Sequence, residues 1–260
     1  MKIIWVILGA FSLLACQERQ SEPPQEIYEH IEDVKARALL EKAVNAAGGL
    51  DEWTSKKSIS FQKYVALYDS MGTIEQENWQ QHTYHYSPER KVKIAWEKEA
   101  SKYEILAEKN QFRRLVSGAK DTSVTVQSIE NTVRSATFVI SLPFKLLNEG
   151  VELAYKGKKQ LDTGQEVEVL QAIYDAKQHA THTNQDIWSL YFDAKDYRLL
   201  GYQVQHDDHI SYVLNNSFDV VNGIVFPRHR KSYRVNEEGE RLFLRAAYEY
   251  KDWTIKNFEH

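Results

Sequence analysis

Residues 59–72 read Ile59-Ser60-Phe61-Gln62-Lys63-Tyr64-Val65-Ala66-Leu67-Tyr68-Asp69-Ser70-Met71-Gly72. Ile59, Phe61, Val65 and Leu67 alternate with Ser60, Gln62 and Tyr64, a period of two that puts one set on each face of a strand. Asp69 to Gly72 then supplies turn residues. The same pattern predicts further strands over about 73–86, 90–97 around Val92, Ile94 and Trp96, 102–108 and 111–117, with breaks at Ser87-Pro88 and Ser117-Gly118. Strands resume over 151–156, 165–174, 186–193, 197–206 and from Ile210. Asn222-Gly223 is a hairpin signal leading into 225–235, and a last long strand alternates Leu242, Leu244, Ala246, Tyr248 and Tyr250 against its other face. Composition agrees: with 15 Tyr, 10 Phe and 6 Trp against only 5 Pro, the chain is rich in residues that suit pleated, half-buried surfaces. The expected fold class is mainly β (α+β), a curved antiparallel sheet.

Two segments depart from this period. Ile27, Ile31, Val34, Ala38, Leu39, Leu40, Ala43, Val44 and Ala47 recur at helical spacing and end at Gly48-Gly49, which predicts one amphipathic helix with a glycine stop. From Ser128 to Asn148 turn signals are missing and the run Phe138-Val139-Ile140-Ser141-Leu142-Pro143-Phe144-Lys145-Leu146-Leu147 is strongly apolar. Proline removes a helix donor and clashes one turn back, so two short helical pieces are expected to meet near Pro143. Such an insert covers the open end of the core or acts as a plug or lid. No domain boundary is visible after residue 27, so 27–260 reads as a single domain.

Ile3 to Ala15 is an apolar run behind one positive charge at Lys2, the layout of a secretory leader. A membrane-spanning helix needs about 20 apolar residues, so the run is too short to span. It ends in Leu13-Leu14-Ala15-Cys16, which resembles the lipobox of bacterial lipoproteins, with Leu14 departing from the more usual small residue. The resemblance implies that residues 1–15 are a signal peptide, that Cys16 carries lipid, and that the chain sits in the cell envelope. Gln17 in place of the Asp of inner-membrane retention favours the outer membrane, facing the periplasm. Residues 16–26 are polar with two prolines and read as a flexible linker next to the lipid. Cys16 is the sole cysteine, which rules out an internal disulfide and any cysteine-built metal or redox site.

Residues 1–15 carry only Lys2, so their removal takes the formal charge from -4 to -5. Nucleic acid is therefore not an expected partner. Arg228, His229, Arg230, Lys231 and Arg234 form one basic cluster; in a regular strand Arg228, Arg230 and Arg234 share a face while Lys231 points the other way, and that face is read as solvated in preference to a site for lipid headgroups.

Three local motifs carry a wider resemblance. Ala46-Ala47-Gly48-Gly49-Leu50-Asp51-Glu52-Trp53 leads into the first strand, Leu142-Pro143-Phe144-Lys145-Leu146-Leu147-Asn148-Glu149-Gly150-Val151 closes the insert, and Val221-Asn222-Gly223-Ile224-Val225-Phe226-Pro227 sets up the closing hairpin. With the element order, they resemble the half-open β-barrel of the lipoprotein carriers and receptors LolA and LolB, and a family of lipoproteins known only as a domain of unknown function. The resemblance implies an N-terminal helix and a central insert covering the concave face of the sheet. It also implies an apolar cavity for acyl chains, lined here by aromatics such as Trp96, Phe138, Phe144, Trp188 and Phe192. The competing reading is that these aromatics fill a core.

The sequence contains no Gly-x-Ser-x-Gly elbow, phosphate-cradling loop, dinucleotide fingerprint or His-Glu-x-x-His. Three histidine pairs are spaced by three: His82 and His85, His179 and His182, His206 and His209. Strand residues three apart face opposite ways, so only His206 and His209, around Asp207-Asp208 in a turn, are weak metal candidates; otherwise they belong to a polar turn. Glu75 and Glu77 share a strand face and are either an acid–base pair or ordinary surface carboxylates. No cofactor is expected. The readings are a non-enzymatic lipoprotein that binds lipid, lipoprotein or another apolar ligand, a tethered metal-dependent hydrolase using His206 and His209, and a structural interaction subunit of an envelope complex.

Overall fold

Thirteen antiparallel strands form one sheet in the computed structural model, which describes residues 25–148, 150–174, 187–206 and 208–258. They are β1 (Lys56–Tyr68), β2 (Ile74–His85), β3 (Lys91–Lys98), β4 (Ser101–Glu108), β5 (Gln111–Val116), β6 (Ala119–Lys120), β7 (Val151–Gln160), β8 (Glu166–Tyr174), β9 (Ile187–Asp193), β10 (Leu199–Gln205), β11 (Ile210–Val221), β12 (Ile224–Val235) and β13 (Arg241–Asn257). The order across the sheet is β6-β5-β4-β3-β2-β1-β13-β12-β11-β10-β9-β8-β7. Two meanders are thus joined where the last strand returns beside the first, with Lys63 opposite Tyr250 and Val65 opposite Tyr248. The sheet curls but does not close, because β6 and β7 are its two edges.

The main core lies on the inward face, where Ile59, Phe61, Tyr84 and Ile94 meet Leu170, Leu190, Phe192 and Phe226. A smaller cluster of Val167, Val169, Tyr191, Tyr212 and Leu214 packs on the other face. Because Leu170 and Ala172 belong to the first cluster and Val167 and Val169 to the second, β8 is buried on both sides.

The N-terminal helix is shorter than its periodicity predicts. A 3-10 turn occupies Gln25–Tyr28, and the α-helix α1 spans only Val34–Ala46. The Asp33 side chain stops it from extending back: it accepts hydrogen bonds from the backbone N–H of Lys35 (2.9 Å) and Ala36 (3.1 Å), as an N-cap does. The guanidinium of Arg37 meanwhile holds the carbonyl of Ile31, with Nε at 3.0 Å. Ile27 and Ile31 are therefore in phase with the helix without belonging to it. The other carboxylate oxygen of Asp33 accepts the backbone N–H of Tyr155 on the edge strand β7 at 2.9 Å, and these backbone donors, Tyr155 first, lower the carboxyl pKa.

Further on, a short helix α2 (Leu50–Thr54) precedes β1. Helix α3 (Val126–Ile140) and a 3-10 turn at Phe144–Leu147 occupy the apolar insert. Thr125 caps α3, accepting from Ser128 N at 3.1 Å, and Ile129, Val133, Thr137 and Ile140 form its buried stripe. Among the described residues no helix is long and apolar enough to cross a membrane.

The three sequence motifs converge at one corner. Gly48 has φ +117, and a β-carbon there would overlap the carbonyl oxygen of Gly223 and lie 2.9 Å from Ile224 Cδ1. Glycine at 48 is what lets α1's exit loop touch the Asn222-Gly223 turn, and the contact is fixed by Val225 N–H donating to Ala47 O at 3.0 Å. Trp53 of α2 then stacks on Phe144, with centroids 4.6 Å apart and planes within 5°.

Candidate functional site: a cation-lined cavity

A cavity of about 600 Å³ lies between α3 and the inward face of the sheet, within the range of small-molecule sites. Alternation along each strand decides what faces it. From β1 come Phe61, Lys63 and Val65; from β2, Gln80, His82 and Tyr84; from β13, Tyr248 and Tyr250; from β12, Arg230 and Ser232; from β10, Tyr202 and Val204. Helix α3 supplies the opposite wall from Asn131 to Ile140.

Around His82 the wall is aromatic and uncharged. Phe61 stacks on His82 in register with it, centroids 4.9 Å apart, and Trp253 lies 4.4 Å from Phe61 and 4.3 Å from Phe226. His82 is 1% exposed. Its Nδ1 is 2.8 Å from the Tyr84 hydroxyl and its Nε2 is 3.0 Å from Gln80 Oε1. Pairing with an amide oxygen puts the ring proton on Nε2, with Tyr84 donating to Nδ1. Burial, reinforced by the nearby Lys63, holds the His82 pKa well below its usual value, so the ring is a neutral hydrogen-bonding strut.

Two cations face each other across β13. Arg230 is 4% exposed; its guanidinium donates to the hydroxyls of Tyr250 (3.2 Å) and Tyr202 (2.7 Å), while its Nε has no partner. Lys63 is half-buried, and the surface it keeps opens into the cavity. Both lie against the ring of Tyr248, Lys63 Nζ at 4.9 Å and Arg230 Cζ at 5.8 Å from its centroid. Burial first and the repulsion of Arg230 second pull the Lys63 pKa down to about 7.

Arg230 corrects the reading of residues 228–234 as a solvated strand face. The pairing of β11 with β12 slips at Arg228: Phe218 is opposite Pro227 and Ser217 opposite His229. The slip is local, since Arg230 opposite Asn215 and Pro227 opposite Phe218 share one register; Arg228 and His229 are exposed, whereas Arg230 and Ser232 continue the inward phase of Ile224 and Phe226. Arg234 donates to Ser211 Oγ at 2.6 Å.

Of the aromatics singled out in the sequence, Phe138 and Trp188 line the cavity, with centroids 4.7 Å apart. Phe192 is fully buried in the core, Phe144 is buried against Trp53, and Trp96 stacks on Tyr103 at 5.2 Å. His206 and His209 have ring centroids 4.5 Å apart, and His209 Nδ1 is 2.6 Å from Asp208. Among the described residues no group of three or more His, Cys, Asp or Glu side chains is placed to hold a metal ion. His82 and His85 take opposite faces of β2, one buried and one exposed. Glu75 is paired with Arg245 at 2.5 Å and Glu77 accepts from the Tyr64 hydroxyl. Cys16, His179 and His182 lie outside the described residues. Sequence reasoning passed over Lys63, although a lysine between Phe61 and Val65 in the inward phase was the available signal.

No protein-family model matches the sequence, and no curated protein matches it. Solved structures share its fold. A LolA superfamily protein from Nitrosomonas europaea aligns over 86% of this chain and 94% of its own with a TM-score of 0.56 at 12% identity. A DUF1329 family protein from Desulfovibrio piger aligns over 85% of this chain and 92% of its own, with a TM-score of 0.54 at 9% identity. The curled, unclosed antiparallel sheet is a LolA-like fold.

Proposed function

We propose that this protein is a non-enzymatic lipoprotein of the cell envelope that holds a lipid, an acylated protein or another apolar ligand in the concavity of its sheet. The observation that carries the reading is the cavity of about 600 Å³ between α3 and the inward face. In this reading α3 and the 3-10 turn after it form the cover, and the domain of residues 27–260 hangs from Cys16 by a linker of residues 16–26 once residues 1–15 are removed. Burying an alkyl chain gains about 0.8 kcal/mol per methylene, so a cavity faced by Val65, Ile94, Phe138 and Val213 offers a large return to an acyl tail. Two acyl chains on Cys16 would suffice for stable anchoring where one would not, and the leader's resemblance to lipoproteins favours the outer membrane.

The test uses the full chain expressed in a bacterial host and isolated from its membranes. Mass spectrometry of the N-terminal peptide is expected to find Cys16 as the first residue, carrying a diacylglyceryl group. Native mass spectrometry is expected to find co-purified lipid released on unfolding. An unmodified Cys16 in the soluble fraction overturns the anchoring, and a ligand-free chain that takes up no added lipid overturns the binding.

A further inference from the structure

The cavity's charge is one-sided. Lys63 and Arg230 line its floor, and Arg90, Arg134 and Lys145 line it from the side of α3; among its described lining residues there is no Asp or Glu. Arg134 is paired with Glu130, with Nε at 2.8 Å. Lys63, Arg230, Arg90 and Lys145 make no ion pair among the described residues. On an outer surface such cations are solvated and need no explanation. Within a fold, an ion without a counter-charge costs several kcal/mol even after relaxation, and proteins normally supply a carboxylate. Here the polar partners are neutral phenols, and one Arg230 donor, Nε, is buried with no acceptor. Two cations set against one tyrosine ring from the strands on either side of β13, with a spare donor between protein walls, form a receptor for an anion that the polypeptide itself does not provide. A purely apolar ligand would aggravate the imbalance by removing the last water from both groups.

We propose that the ligand is an anionic amphiphile, whose acidic head accepts hydrogen bonds from Lys63 and Arg230 while its apolar tail lies along Val65, Ile94, Phe138 and Val213. The proposal rests on the lipid-binding reading above and sharpens it to a chemical class. Carboxylate and phosphate monoester heads share this chemistry, since both match the arginine fork and accept from an ammonium. The outer cations Arg90 and Lys145 give the entrance the same sign and draw an acid inward.

The experiment compares diazirine-bearing palmitic acid, its methyl ester and the corresponding alkyl phosphate as photolabels on the full chain held in neutral maltoside micelles, with crosslinks mapped to peptides. The acid is expected to label α3 and the inward residues of β1 and β12 about tenfold more than the ester, because a charge-assisted hydrogen bond contributes about 1.5–3 kcal/mol and 1.4 kcal/mol is a factor of ten. Lys63→Met and Arg230→Met are each expected to abolish the preference for the acid over the ester. The stronger competitor of acid and phosphate identifies the head. Labelling by the acid and the phosphate no greater than by the ester in the unaltered protein overturns the anion site while leaving the lipid-binding reading intact. Absence of labelling by all three overturns the lipid-binding reading itself. The acid–ester comparison needs no variant, so it decides the matter even if Arg230→Met fails to fold.

Discussion

Gly48→Ala tests whether the corner joining three parts of the chain holds the fold together. Two costs add at this position. An L-residue at φ +117 adopts a sparsely populated backbone conformation, which costs about 1–3 kcal/mol. The new methyl also overlaps a backbone oxygen, Gly223 O, and meets Ile224 Cδ1 at 2.9 Å, so the hairpin between β11 and β12 must retreat. Retreat breaks the Val225 N–H to Ala47 O bond and leaves groups unsatisfied, adding about 1–3 kcal/mol. The total is about 2–6 kcal/mol, a large fraction of the ~5–15 kcal/mol that holds a domain folded. Gly49→Ala is the internal control: φ is +85 but nothing lies within 4 Å of its would-be β-carbon, so only the backbone cost of about 1–3 kcal/mol applies. Urea unfolding followed by tryptophan fluorescence reads the difference, which at ordinary slopes of about 1–3 kcal/mol per molar corresponds to a midpoint lower by about 1 M for Gly48→Ala than for Gly49→Ala. Equal midpoints for the two variants would refute the overlap argument and, with it, the close approach of the α1 exit loop to the Gly223 turn.

Three further outcomes follow from the packing around Lys63 and at the Trp53 corner. Without ligand, Lys63→Met is expected to stabilise the protein, on the order of 1–4 kcal/mol near neutral pH, because it removes a desolvated charge. The groups facing Lys63 are Arg230 of β12, Tyr248 and Tyr250 of β13 and His82 of β2. The pH dependence has a definite sign. Below about 7 folded and unfolded chains both hold the Lys63 proton, whereas between about 7 and the ordinary 10.5 only the unfolded chain keeps it. Wild-type stability relative to Lys63→Met therefore rises with pH over that window by up to about 1.4 kcal/mol per unit; a flat difference in unfolding free energy across pH 6–9 counts against the buried cation. Finally, a double-mutant cycle on Trp53→Ala and Phe144→Ala is expected to give a coupling of about 0.5–1.5 kcal/mol beyond area burial, and independent losses in thermal unfolding would mean that the stack contributes no more than its parts.

The sheet was legible because its strands are long and their inward phases are aromatic or branched: Ile59, Phe61 and Val65 cannot lie anywhere else, and Asn222-Gly223 fixes a hairpin by backbone chemistry alone. The break in the N-terminal helix was less so, since Ile31 keeps helical phase across a gap that Asp33 and Arg37 enforce through side-chain hydrogen bonds. The site was hidden for two different reasons. Lys63 sits in an apolar phase, and a single polar residue in such a phase is easily read as a lapse in the pattern. Arg230 keeps the inward phase of Phe226, but it lies in the charged run Arg228-His229-Arg230-Lys231, which reads as solvent-facing, and nothing local announces which of its residues is buried. Aromatic excess alone could not separate Phe138 and Trp188, which line the cavity, from Phe192, which fills the core, since that division depends on which strand each faces.

An unclosed sheet invites other chains to add themselves to its borders. At one border the strand β6 is only two residues long and offers little to copy. At the other, the Asp33 carboxylate occupies a main-chain donor of β7, and beyond it Lys156, Lys158 and Lys159 stand exposed around a register slip at Gly157. A passing strand would have to displace an anion, desolvate three ammonium groups and follow an irregular line. The same carboxylate that starts a helix thus also shields a sheet border from strand addition.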